Sequence, residues 1–358
     1  MTAKKSQLGQ FYTTNYDYIL KGMHLPFRSR VIEPFAGNGD LLEFAKRFKP
    51  AHIECYDIDP KLDYIIKKDT LKSPPDYNGK FVLTNPPYLA KNKFKGNKDV
   101  FSQHKQDDLY KCFMSSLVDS GCNAGIVIIP LNFWCSLRKA DALLRRRFLN
   151  KYTITRVNVF YDKVFDDTGY TVCAIQFRRR NNLEKNTGYS ICAIRNPPDL
   201  ENNEEIPMHF YPDRSAAVIK LGEFNDYTIG GDILNLEQTD KFKVERATKN
   251  NKNSPGLTNI LVKCIDDSSS SQLGLKIVSD EDRHIDKTPK LSSRSYATLV
   301  INPPITLQEQ KKIVNIFNAR MGKWRGEYNS LFLSNYRESG RKRVSFGLVF
   351  KMVNYLLR

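Results

Sequence analysis

The 358 residues contain no run of about eighteen uninterrupted apolar side chains, which excludes a membrane-spanning helix. The opening segment MTAKKSQLGQFYTT has no apolar core, so a secretory leader is not expected. The seven cysteines include no C-x-x-C pair, and their number is odd. That pattern favours reduced thiols in the cytoplasm over a disulfide framework. The five histidines, His24, His52, His104, His209 and His284, are scattered, so no metal centre is expected. A phosphate-cradling G-x-x-x-x-G-K-[ST] loop is missing as well, which removes the P-loop nucleotide enzymes.

What is present describes a folded protein. Apolar residues make up 41% and charged residues 27%, too rich in the former for a disordered chain. The length suits two domains of ordinary size. A net charge of +17 points to a polyanionic partner, most often nucleic acid. The surplus is uneven. Residues 1–180 hold 30 basic against 18 acidic side chains, and the remainder 26 against 21.

The first half alternates strand and helix signals. RVIEPF at 30–35, HIECYDI at 52–58, FVLT at 81–84 and AGIVIIP at 124–130 read as strands. DLLEFAKRF follows the first of them as a helix. DLYKCFMSSLVDSG at 108–121 places Leu109, Phe113 and Leu117 at helical spacing and stops at a glycine. A helix over 137–149 leads to TRVNVF (155–160) and TVCAIQF (171–177), expected as antiparallel neighbours. The pattern predicts a mostly parallel α/β sheet with a terminal hairpin, over residues 1–180. Beyond Arg180, polar runs such as RNNLEKN, RATKNNKNSPG and DDSSSSQ predict the surface loops of a second module, 181–358. A helix is expected near 307–321, with Ile313, Ile316 and Phe317 on one side.

The strongest chemical signal is Asn85-Pro86-Pro87-Tyr88, directly after the strand FVLT. Ligands of open α/β sheets sit outside the carboxyl ends of strands. Two prolines stiffen the loop and leave carbonyls without competing donors. The Asn85 carbonyl and a neighbouring backbone carbonyl suit an amine with two N–H bonds, and Tyr88 offers a flat face to a planar ring. Asn196-Pro197-Pro198 and Asn302-Pro303-Pro304 repeat the first three letters without the aromatic, and read as ordinary turns. Upstream, Glu33-Pro34-Phe35-Ala36-Gly37-Asn38-Gly39 supplies glycines after a first strand, where backbone can approach a ligand closely. Asp57 closes the second strand and suits ribose hydroxyls, whereas Asp59 reads as a helix cap.

In order, GQFYTT, EPFAGNG, YDIDP, DT, NPPY and DLY…AGIVIIP resemble S-adenosylmethionine-dependent amino-methyltransferases. They are most similar to the γ class of DNA adenine-N6 methyltransferases, found among restriction-modification enzymes. The resemblance covers about residues 7–180. It implies a Rossmann-like catalytic domain with a seven-stranded sheet over 1–180 and a DNA target-recognition domain over 181–358. It also implies that Thr13 touches S-adenosylmethionine, and that Glu33, Ala36 and Gly37 line its methionine portion. Asp57 would hold the ribose, Asp69 the adenine amine, and Pro87 would pack on that adenine. Asn85, Pro86 and Tyr88 would hold the target base, with Phe165 of KVFDDTGYTVCAIQF as a second aromatic wall. Thr14 departs from the usual proline, and Thr70 from the usual apolar residue after the acid. Double-stranded DNA is the implied partner, along with a cognate restriction endonuclease where the enzyme is one of a pair.

The run KNKFKGNK follows the Asn-Pro-Pro-Tyr loop immediately and places Lys91, Lys93, Lys95 and Lys98 where they could grip phosphates beside a flipped base. Cytosine-C5 methylation needs a nucleophilic Cys, normally after proline, and no cysteine here follows one. Asn-Pro-Pro-Tyr also occurs in enzymes that methylate RNA bases or protein glutamine, and a nucleic-acid-binding module with a degenerate core is a further alternative. The intact Asn85, Tyr88, Glu33 and Asp57 speak against the last.

Overall fold

The computed structural model describes residues 11–135, 139–160, 164–165, 172–180, 208–211, 236–266, 272–327, 332 and 342–358. The chain divides near residue 220 into two compact units. RNNLEKN, Asn196-Pro197-Pro198 and most of the loop around Phe165 lie outside the described residues.

The first unit is a mixed α/β structure. Its strands are β1 (Arg30–Glu33), β2 (His52–Asp57), β3 (Ile66–Lys67), β4 (Phe81–Thr84), β5 (Ala124–Pro130), β6 (Tyr152–Phe160), β7 (Val172–Arg179) and β8 (Met208–Tyr211). They lie in one sheet in the order β3-β2-β1-β4-β5-β7-β6-β8. All neighbours pair parallel except β7, which runs against both β5 and β6. The seven expected strands are therefore joined by an eighth, parallel to β6. Strands β4 and β5 are buried almost throughout, which explains their unbroken apolar runs. β6 begins at Tyr152, earlier than the sequence suggests. A register shift between Ile154 and Arg156 breaks the alternation on which such a reading depends.

Two features of this sheet position a site. The chain leaves β1 for β2 and β3 on one side, then crosses back so that β4 lies on the other side of β1. A crevice opens at such a switch point, outside the carboxyl ends of the strands. Glu33 ends β1, Asp57 ends β2, and Asn85 follows β4, so all three face that crevice. Helices Asp40–Lys46 and Leu109–Ser120 flank it. The second starts on Asp108, whose side chain accepts from the Tyr110 amide, and ends at Gly121 in the left-handed region.

In the second unit, β9 (Lys243–Arg246), β10 (Leu257–Lys263), β11 (Gly274–Ile277) and β12 (Tyr296–Asn302) form an antiparallel sheet ordered β11-β10-β12-β9. Helices Leu307–Glu327 and Phe346–Leu356 pack on it around Ile260, Leu299, Phe317, Val349 and Met352. Ile313 and Phe317 are buried as their spacing predicts, and Ile316 is half-buried. Asn302-Pro303-Pro304 ends β12 and turns toward the long helix. Among the described residues no helix is long and apolar enough to cross a membrane. Cys55, Cys112, Cys122, Cys173 and Cys264 are buried free thiols.

Candidate functional site

A cavity of about 330 Å³ lies at the switch point, within the range of small-molecule sites. Thr13, Glu33, Ala36, Gly37, Asp57, Asp69 and Pro87 all line it, together with Asn85. These residues are spread over 75 positions of sequence, and the strand ends bring them together.

The glycine turn is held by Asp57. Its carboxylate accepts from the Gly37 amide through Oδ2 and from the Asp59 amide through Oδ1, each at 2.8 Å. Gly37 has φ +53, and a Cβ there would stand 3.2 Å from the Tyr12 ring. Only glycine satisfies both the backbone and the packing. Asp59 caps no helix. It pairs instead with Lys61, because the chain after Pro60 bends without entering a helical turn. Asp69 accepts from the Leu71 and Lys72 amides, fixing the turn that follows β3. Thr70 also lines the cavity, and its hydroxyl donates to the Pro34 carbonyl at 2.8 Å.

Glu33 is the unusual group. It is 2% exposed, and its Oε2 has no hydrogen-bond partner. Burial, reinforced by Asp40 and Asp57, raises its pKa well above the carboxylate range. A buried oxygen left unsatisfied is costly, so it suits a ligand that brings a donor or a positive charge. Asp40, Asp57, Asp69 and Asp99 also line the cavity against Lys68 and Lys72, so acidic side chains outnumber basic ones there. Among the described residues no cluster of His, Cys, Asp and Glu could hold a metal ion.

Next to the cavity stands the Asn85–Tyr88 loop. Asn85 Nδ2 donates to the Phe11 carbonyl at 2.7 Å and to Thr13 Oγ1 at 3.1 Å. The Tyr88 hydroxyl reaches both Asn85 Oδ1 and the Ile128 carbonyl. Tyr88 is 3% exposed, and burial raises its pKa well above 10. Residues just after the loop are clamped to the start of helix Leu109–Ser120. Lys91 N donates to the Asp107 carbonyl and Leu109 N to the Leu89 carbonyl. The Asp108 carboxyl at this junction is pushed up to about 6 by burial, against the opposing pull of Lys111.

Phe165 is buried, 6.0 Å from the Phe11 ring. Pro86, Tyr88 and Phe165 lie outside the cavity lining proper. Lys91, Lys93, Lys95 and Lys98 are all exposed. Between them Phe94 and Asn97 turn inward onto the cavity, which alternation of charge does not reveal. Sequence reasoning also missed Phe11 and Tyr12. The only available signal was their place directly before Thr13 in GQFYTT. Of the arginine triplet at 145–147, Arg145 is fully buried and donates to the Phe133 carbonyl, whereas Arg147 pairs with Asp119.

Residues 40–165, about a third of the chain, match the Eco57I restriction-modification methylase family model. This supports a methyltransferase core in the first unit. No curated protein matches the chain. Solved structures that align with it include the type I restriction-modification system methyltransferase subunit from Streptococcus thermophilus. That alignment has 18% identity and a TM-score of 0.36, and covers 49% of this chain and 46% of that one. The type I restriction enzyme EcoKI M protein aligns at 16% identity and a TM-score of 0.34, covering 44% and 41%. The 23S rRNA methyltransferase ErmE aligns at 15% and 0.32, covering 46% and 67%. The aligned part is thus under half the length of the first two.

Proposed function

We propose that the protein transfers a methyl group from S-adenosylmethionine to the N6 amine of an adenine flipped out of duplex DNA. The observation that carries this reading is the shared wall: Asn85 and Pro87 of the amine-accepting loop line the same acidic cavity as Glu33 and Gly37. The unpartnered Glu33 oxygen fits a cofactor that carries an ammonium and a sulfonium.

S-adenosylmethionine, when bound, supplies an electrophilic methyl on a positive sulfur. Glu33, Ala36 and Gly37 would hold its methionine end, Asp57 the ribose, Asp69 the adenine amine and Pro87 the adenine face, with Thr13 alongside. The Asp57 carboxylate, whose oxygens accept the Gly37 and Asp59 amides, would accept the ribose hydroxyls. On the acceptor side, Asn85 Oδ1 and the Pro86 carbonyl would each take one N–H of the target amine. An exocyclic amine is a poor nucleophile because its lone pair is delocalised into the ring. Two acceptors favour a pyramidal nitrogen and aim its lone pair, so the gain is orientation with electrostatics.

A base cannot be reached inside a duplex and must leave the stack, at a cost of a few kcal/mol. Tyr88 and Phe165 would return about 1–3 kcal/mol per stacked base. Lys91, Lys93, Lys95 and Lys98 would hold phosphates beside it. The second unit would read the sequence, and a cognate endonuclease would be the partner in a restriction pair. Methylating a plasmid in cells and reading it by single-molecule sequencing tests the acceptor atom and the site together. Modified adenines at one recurring sequence support the reading, and an unmodified plasmid with active cofactor binding contradicts it.

A further inference from the structure

We infer that Phe11 is the resident occupant of the target slot, a side chain that holds the place of the base and must leave before a base can stack on Tyr88. The inference rests on the reading of Tyr88 and Phe165 as walls of that slot. The Phe11 ring lies 5.2 Å from the Tyr88 ring with 29° between their planes, and 6.0 Å from Phe165 at 35°. The Tyr88 pair is stacked, as a base would be on that face, and the Phe165 pair is tilted. The Tyr110 ring meets that of Tyr88 at 88°, a T-shaped contact. Of these two Tyr88 ring pairs, the one with Phe11 is the stacked one. The outcome is visible in the exposures: Tyr88 is 3% and Phe165 5% exposed, while Phe11 itself is only half-buried.

The backbone of the same residue is tied to the target-holding loop. The Phe11 carbonyl takes one N–H of Asn85, so the loop's amide is satisfied with no target present. One residue on, Tyr12 packs against Gly37, and both Tyr12 and Thr13 line the acidic cavity. Phe11 thus stands between the two halves of the site, ring in the target slot and chain continuing into the cofactor wall. A small free base must displace this ring with stacking alone. A base delivered on DNA adds its phosphate contacts, so the occupant sharpens the preference for the polymer.

The test is titration of the free base 2-aminopurine into the full-length protein, followed by its fluorescence, which falls on stacking. Removing a stacked competitor worth about 0.5–1.5 kcal/mol should tighten binding about two- to tenfold in Phe11→Ala. Adding Tyr88→Ala to that variant should abolish the gain. Phe11→Leu, which keeps bulk but not the flat face, covers the case in which Phe11→Ala does not fold, and should show a smaller gain. The inference is overturned if both Phe11 variants bind 2-aminopurine no tighter than wild type, or if they weaken it as Tyr88→Ala does. The readout does not depend on turnover. A wild type that methylates adenine, with no gain in the variants, sinks this inference alone. A clear gain in a protein that methylates no DNA sinks the functional reading alone.

Discussion

The Phe11 carbonyl accepts a hydrogen bond from Asn85 Nδ2 at 2.7 Å and so decides which way the Asn85 amide faces. A backbone carbonyl can only accept, so Nδ2 must point to it and Oδ1 must point toward Tyr88. The amide is thereby preset with its acceptor on the side of the aromatic wall.

Replacing Asn85 by alanine removes that acceptor. Turnover should fall about 10²–10³-fold, the usual loss for one preorganised group at a reacting atom. Cofactor affinity should stay close to wild type, because the proposed role of Asn85 is to hold the target amine and not the cofactor. A tritiated-methyl transfer assay with parallel calorimetry separates the two. Undiminished transfer by the variant would remove Asn85 from the mechanism.

Asp57 holds the half-buried Gly37 and Asp59 amides and, in the proposed function, the ribose as well. Asp57→Ala should therefore cost about 1–3 kcal/mol of stability and weaken S-adenosylmethionine binding together. DNA affinity should not move. Thermal unfolding and calorimetry report the two losses. Unchanged cofactor affinity in a destabilised protein would leave Asp57 as a clamp on the Gly37 turn and nothing more.

Glu33 provides a pH signature. An acid whose folded-state pKa is raised binds more protons folded than unfolded, so stability falls as pH rises above its ordinary 4.5. Glu33→Gln removes the group that must ionise. The empty protein should gain about 1–3 kcal/mol at pH 8 and lose that part of its pH dependence. The same variant should bind S-adenosylmethionine at least about tenfold more weakly, a 1.4 kcal/mol loss. Unfolding curves at pH 5 and pH 8 check the first half. An equal drop in both proteins between those values would show that Glu33 is already paired.

Much of this site was legible because its motifs end strands. Glu33, Asp57 and Asn85 each close or follow a strand of one parallel sheet, and parallel strands put their carboxyl ends on one edge. What escaped had no local pattern. Phe11 meets a loop 74 positions away, and no periodicity links the two. Glu33 looked like one ligand among several, since a missing partner is a property of the packed interior. The antiparallel sheet of the second unit was hidden for a different reason. Its strands are short and separated by long polar turns, so hydrophilic loops dominated every window of sequence.

The Tyr88 hydroxyl is engaged with Asn85 and the Ile128 carbonyl, so its loss should be felt modestly. Tyr88→Phe should cost about 0.5–1.5 kcal/mol of stability while keeping much of the activity. Tyr88→Ala should lose about 1–3 kcal/mol of flipped-base stabilisation, roughly ten- to a hundredfold in rate. Phe165→Ala should follow it in milder form. With 2-aminopurine at the target position of duplex DNA, the wild type should show a smaller fluorescence rise than Tyr88→Ala. Wild-type rates in Tyr88→Ala would contradict a stacking role.

The central claim concerns the acceptor atom. Unmethylated plasmid DNA incubated with the protein and deuterium-labelled S-adenosylmethionine, then digested to nucleosides and weighed by mass spectrometry, tests it most directly. The account predicts label in N6-methyladenine, none in the cytosine derivatives, and its loss in Asn85→Ala. Label in N4-methylcytosine, or transfer to RNA or protein glutamine with DNA left unmodified, would contradict it.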